Sequence, residues 1–168
     1  MIFEKYLFPD VKYKSVSDID VEELKNRGIK FVILDIDNTL VPYTSPEPDE
    51  KALAFLDELK NNGITFCFVS NNNADRVNLF NRNIGAKAYP KGGKPLLFGI
   101  NKAMKELGAV KSDTALIGDQ VFTDTCGGKR AGIYTVLVDP IVEVTSAFFR
   151  FKRYFEKKIV KKYEELMK

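Results

Sequence analysis

Apolar residues gather in short runs of strand length: KFVIL at 30–34, ITFCFV at 64–69, AKA near 86–88, TALI at 114–117 and IYTVLV at 133–138. Most of these runs are continuous rather than alternating, the pattern of strands covered on both faces in a parallel sheet. Between them lie segments of helical period. SDIDVEELKNR at 17–27 is stopped by Gly28, EKALAFLDELKNN at 50–62 is capped by Asp49 and ended by Gly63, and two further helices are predicted over about 74–83 and 95–107. The stretch VPYTSPEPD at 41–49 holds three prolines and is incompatible with a regular element. Strands alternating with helices describe right-handed βαβ units. The expected fold is a doubly wound α/β three-layer sandwich around a five-stranded parallel sheet. Residues 1–29 read as an N-terminal extension with a short helix, 30–140 as the core, and 141–168 as a basic C-terminal helix beginning beyond Pro140.

Composition narrows the classes. Lys and Arg number 26 against 23 Asp and Glu, a formal charge of +3, too mild for a dedicated nucleic-acid binder, so no nucleic-acid partner is expected. The chain has no histidine, and its two cysteines, Cys67 and Cys126, lack the spacing of a zinc site. They read as reduced structural thiols. No segment approaches the roughly 20 apolar residues that span a bilayer, and the chain is expected to be cytoplasmic.

Ligands of open α/β sheets gather beyond the carboxyl ends of the strands, and those ends carry the unusual polar residues. The first run leads into Asp35-Ile36-Asp37-Asn38-Thr39, the second into Ser70-Asn71-Asn72-Asn73, and the fourth into Gly118-Asp119-Gln120 with Asp124 close behind. The spacing of Asp35 and Asp37 lets both carboxylates approach one pocket while Ile36 points into the core. With Asp119 they form an oxygen-rich set suited to Mg²⁺, which would also keep neighbouring carboxylates ionised. Ser70 offers a hydroxyl to a phosphoryl oxygen, or caps a helix. Lys94, in KGGKP before a helix, offers a charge to a phosphoryl group, or is a surface lysine. The two GGK triplets lack the spacing of a nucleotide-binding P-loop. Position 132 is glycine, which argues against Cys126 as the nucleophile of a cysteine phosphatase. A receiver domain, which also pairs aspartates with a lysine, lacks the DxDxT pattern.

DIDNT, SNN, KP and GDQVFTD, in that order and each at a strand end or helix start, resemble the motif set of the haloacid dehalogenase (HAD) superfamily over about 30–139. LDIDNTLVP and GDQVFTD further resemble the small subclass IIIA, YqeG-type phosphatases, related to mitochondrial phosphatidylglycerophosphate phosphatases. The resemblance implies that Asp35 is the nucleophile of an Mg²⁺-dependent phosphomonoesterase working through an aspartyl-phosphate. It makes Asp37 the acid–base residue, a role a carboxyl group must fill in a chain without histidine. It implies metal ligation by Asp35, the backbone carbonyl of Asp37 and Asp119, with Asp124 in support, and phosphoryl contacts from Thr39, Ser70, Asn71 and Lys94. A non-catalytic scaffold that keeps this fold to bind a partner is the competing reading.

The spacings between Asp35, Ser70 and Lys94 leave no room for a large cap domain, so the site is expected to be open. Capless members of the superfamily often act on macromolecular or lipid substrates, or cover the site by forming oligomers. The tail SAFFRFKRYFEKKIVKKYEELMK at 146–168 interleaves aromatics with basic residues. It suits an anionic membrane surface at the inner face of the membrane, or an apolar stripe docked on its own domain or on a second subunit. Phe3, Tyr6, Leu7 and Phe8 are the expected docking partners at the other terminus. Phosphatidylglycerophosphate, a soluble sugar phosphate and a nucleotide all remain open as substrates.

Overall fold

The computed structural model describes residues 2–143 and 146–167. Among the described residues, seven α-helices and six strands follow in the order α1 (Ile2–Leu7), β1 (Val11–Tyr13), α2 (Val21–Asn26), β2 (Phe31–Leu34), α3 (Glu50–Asn61), β3 (Thr65–Val69), α4 (Ala74–Asn81), β4 (Lys87–Tyr89), α5 (Phe98–Leu107), β5 (Thr114–Gly118), α6 (Cys126–Ala131), β6 (Tyr134–Val138) and α7 (Ala147–Leu166). All strands are parallel, in the order β1-β6-β5-β2-β3-β4. The sheet therefore has six strands where five were expected. The sixth, β1, is three half-buried residues paired with the edge of β6, too short to give a periodic signal. Asp10 sets its register by accepting the Thr135 N–H and hydroxyl at 2.8 Å each.

Alternation along each strand divides the core between two helical layers. Val32 and Leu34, Phe66 and Phe68, Ala115 and Ile117, and Val136 and Val138 face the layer of α2, α3 and α4, where Phe55, Leu56, Leu59, Val77 and Phe80 are buried. Ile33, Cys67, Val69 and Leu116 face the opposite layer, against Ile100, Ala103 and Met104 of α5 and Ala131 of α6. Leu137 carries that second face to the sheet edge, where Leu7 of α1 and Ile159 and Val160 of α7 close over it. Each run is apolar on both faces because both faces are covered, which is why no polar alternation marks these strands in the sequence.

Helix starts follow the local chemistry. Asp49 caps α3 by accepting the Ala52 N–H at 2.8 Å, and Asn73 caps α4 by accepting the Arg76 N–H at 2.9 Å. The helix predicted over 95–107 begins at Phe98 instead of Pro95, because the chain first turns through Lys94 to Leu97. Successive strands depart from β2 in opposite directions: β3 and β4 to one side, β5 and β6 to the other. The crevice beyond the ends of β2 and β5 is thus the topological switch point, where ligands of such sheets bind.

Candidate active site

At that switch point β2 ends in Asp35, whose N–H donates to the Ile117 carbonyl at 3.0 Å and so extends the ladder one residue beyond the strand. Ile36 is fully buried, and Asn38 takes a left-handed conformation with φ of 62° that turns the chain back over the strand end. Thr39 is carried beneath Asp35 by this turn. Its hydroxyl lies 3.4 Å from Asp35 Oδ2 and 3.2 Å from Asp119 Oδ1, between the carboxylates that follow β2 and β5.

Asp35, Asp119 and Asp124 are all buried, and each offers an oxygen within 4.8 Å of the others. Lys94 enters this group with its side chain 1% exposed, placing Nζ 2.8 Å from Asp35 Oδ1 and 2.7 Å from Asp124 Oδ1. Burial works against the lysine's charge, but Asp124 and Asp35 outweigh it and raise its pKa above the ordinary range. Asp35 and Asp119 shift in the same sense for another reason. Burial raises the Asp35 carboxyl to about 6 against the opposing pull of Lys94, and raises Asp119 to about 7 against that of Arg153. Asp124 is further fixed by accepting the Gln120 N–H at 3.1 Å, across a π-helical turn over Val121–Thr125.

The remaining predicted residues surround this cluster. Ser70 is buried at the end of β3, its hydroxyl accepting the Asn72 N–H at 3.1 Å. Asn71 pairs reciprocally with the backbone of Lys94: its Nδ2 donates to the Lys94 carbonyl and its Oδ1 accepts the Lys94 N–H, both at 2.8 Å. Its carboxamide therefore holds the lysine in place. Asp37 lines the same cleft as Asp35 but stands apart from the three-carboxylate cluster. Its oxygens accept from Asn72 Nδ2 at 2.9 Å and from Arg76 Nε at 3.0 Å. The third carboxylate beside Asp35 and Asp119 is thus Asp124.

A cleft of about 540 Å³ opens over these groups, lined by Asp35, Asp37, Ser70, Asn72, Tyr43 and, from α7, Phe149. Three residues that the sequence pattern left unassigned complete the surroundings. Arg76 holds Asp37, Arg153 of α7 forms an ion pair with Asp119, and buried Glu156 accepts from Arg153 at 3.0 Å. A signal for the α7 pair exists in retrospect. Arg153 and Glu156 fall on the same helical stripe as Val160 and Tyr163, and charges on the docked face of an amphipathic helix need partners.

The donor set fits a hard divalent cation: three clustered carboxylates, all oxygen, whose mutual repulsion a cation would relieve. Comparison with known proteins agrees with the geometry. The HAD-hydrolase-like family matches residues 92–140, which include Lys94, Asp119 and Asp124. The probable phosphatase YqeG of Bacillus subtilis (strain 168) is 36% identical over 159 residues, covering 95% of this chain and 92% of that protein. The chain belongs to the HAD-like hydrolases, in the family of YqeG. It is a phosphoric monoester hydrolase of that type. A plant relative, phosphatidylglycerophosphate phosphatase 1, chloroplastic/mitochondrial, of Arabidopsis thaliana, is 26% identical over 86% of this chain but only 44% of its own length. Among solved structures, a 4-nitrophenylphosphatase from Thermotoga maritima superposes with a TM-score of 0.58 at 16% identity, over 74% of this chain and 90% of that one. A cobalt-bound deoxy-D-mannose-octulosonate 8-phosphate phosphatase from Haemophilus influenzae gives 0.53 at 17% identity, over 82% and 90%. These two likenesses establish the fold.

Proposed function

We propose that the chain is an Mg²⁺-dependent phosphatase that hydrolyses phosphomonoesters through an aspartyl-phosphate on Asp35. The observation that carries this reading is the buried cluster of Asp35, Asp119 and Asp124 around Lys94 at the switch point of the sheet. Asp35 and Asp119, with the backbone carbonyl of Asp37, would hold the cation, and Asp124 would support it. The bound cation would supply charge neutralisation to the carboxylates and to the phosphoryl oxygens.

A carboxylate oxygen of Asp35 attacks phosphorus as the bond to the ester oxygen breaks, and that leaving oxygen takes a proton from Asp37. The Asp37 carboxylate then takes a proton from water. The water oxygen bonds to phosphorus, the bond to Asp35 breaks, and inorganic phosphate leaves with the nucleophile restored. Lys94 balances charge on the transferring group, and the Ser70 hydroxyl and Thr39 hold it in line. Asn71 acts through Lys94, whose peptide it grips on both sides.

As substrate we infer a phosphorylated lipid headgroup of the phosphatidylglycerophosphate type. Three features support it: the open cleft, the Phe149 rim, and the exposed Phe148, Phe151 and Tyr154 on the adjoining helix beside Arg150, Lys157 and Lys158. Phosphate release from an aryl phosphate, sugar phosphates, nucleotides and phosphatidylglycerophosphate in micelles, with Mg²⁺ and with EDTA, tests the whole reading. Release that EDTA abolishes and that is fastest from the lipid supports it. Folded protein that releases phosphate from none of them overturns the enzyme, and preference for a soluble ester overturns the lipid.

A further inference from the structure

The loop that carries Asp119 is held largely from outside the α/β core. Arg153, a turn and a half into α7, spreads its guanidinium over Asp119, donating to its backbone carbonyl at 2.8 Å and to Oδ2 of its carboxylate. One turn on, Glu156 fixes Arg153 at 3.0 Å and accepts the Phe122 N–H at 3.0 Å, while Lys152 donates to the Gln120 side chain. Residues 119, 120 and 122 are thus each gripped by one short stretch of α7. That stretch is anchored by Ile159 and Val160 against Leu7, Val121 and Leu137, and by an edge-on pair of Tyr163 with Phe8.

We propose that α7 is a working part of the active site and that Arg153 is a positioning residue, presenting Asp119 to the metal. This rests on the metal-dependent reading above. The two oxygens of Asp119 are divided between partners. Oδ2 is taken by Arg153, while Oδ1 faces the Thr39 hydroxyl, which also reaches Asp35. The edge left for a cation shared with Asp35 is therefore the Oδ1 edge. A planar guanidinium that holds both a carboxylate and the carbonyl of the same residue fixes that residue's rotamer and backbone together, which a lysine cannot do. Stability alone gives little reason for this arrangement, since a buried ion pair is often no more stabilising than apolar residues of the same volume. Partners that orient a ligating carboxylate, by contrast, typically change metal affinity by roughly 10–100-fold when removed.

The test is Mn²⁺ binding to the full-length protein, read from the free-ion electron paramagnetic resonance signal, for wild type, Arg153→Met and Arg153→Lys, with a thermal melt of each to establish folding. Arg153→Met is expected to bind Mn²⁺ at least about tenfold more weakly and to need correspondingly more Mg²⁺ for half-maximal activity, with KM for the ester at saturating metal little changed. Arg153→Lys, which keeps the charge without the fork, is expected to recover only part of the affinity. A folded Arg153→Met protein with wild-type affinity would show that the pair only docks the helix, and tighter binding would show that Arg153 competes with the cation. Either result overturns the proposal. Wild type that binds no Mn²⁺ would instead sink the metal-dependent reading, and this one with it.

Discussion

Lys94 answers to two buried carboxylates at once, and Asp119 to Thr39 and Arg153, so single substitutions here leave charges without partners. Replacing Lys94 by Met strands Asp35 and Asp124 in a dry pocket. Denaturation in urea and EDTA should show a loss of about 3–5 kcal/mol, the usual result of breaking a buried pair from one side. Phosphatase activity should disappear in the same variant. The raised carboxyls give the metal-free protein a distinctive pH response. Asp35 at about 6 and Asp119 at about 7 hold protons more tightly in the folded chain than at the ordinary 3.8 of an unfolded one. Their ionisation therefore opposes folding, and their contribution to stability is lost as pH rises from about 4 through 7. Thermal melts in EDTA should fall across that window, and saturating Mg²⁺ should lift the upper end most. A melting temperature that rises with pH in EDTA contradicts this account of the cluster.

At the scale of elements, the site depends on how closely the turn after β5 folds on itself. A Cβ at Gly118 would overlap the Asp124 side chain, so Gly118→Ala forces that carboxylate off Lys94. Activity should drop by at least about tenfold, the lower end of what a lost supporting group produces, whereas alanine at exposed Gly63 should change activity little. Steady-state assays of the two variants distinguish site disruption from a general loss of stability. Most of these elements were legible in the sequence, because strands covered on both faces read as unbroken apolar runs and α3 carries its own cap and stop. The strand-end motifs gave the residues of the cleft for the same reason. Three things were not legible. β1 is too short for a period, Arg76 reaches Asp37 only because α4, packed on β3 and β4, brings its first turn to the loop after β2, and Arg153 meets Asp119 across 34 residues through a helix whose sequence reads as a basic tail.

On the scale of the molecule, α7 has two unlike faces. Glu156, Ile159, Val160 and Tyr163 turn inward, while Phe148, Phe151, Tyr154 and Phe155 remain exposed; Phe148 pairs edge-on with Phe149, which lines the cleft, and Phe151 and Tyr154 each pair edge-on with Phe155. On the lipid reading proposed above, these exposed aromatics are the surface that would meet the headgroups. Among the described residues no helix is long and apolar enough to cross a membrane. Co-sedimentation with vesicles of phosphatidylglycerol should retain wild type at low salt and release it at high salt, while Phe148→Ser/Phe151→Ser binds markedly less. Equal recovery of both proteins in the supernatant would remove the lipid surface while leaving the phosphatase intact.

The proposed mechanism turns on the covalent step on Asp35. Enzyme quenched in acid during turnover and reduced with borohydride converts an aspartyl-phosphate to homoserine, which peptide mass spectrometry can place. Homoserine is expected at position 35, absent when Mg²⁺ is withheld and in Asp35→Asn, which should also release no phosphate. Phosphate release that persists in Asp35→Asn, or homoserine at another aspartate, would contradict it.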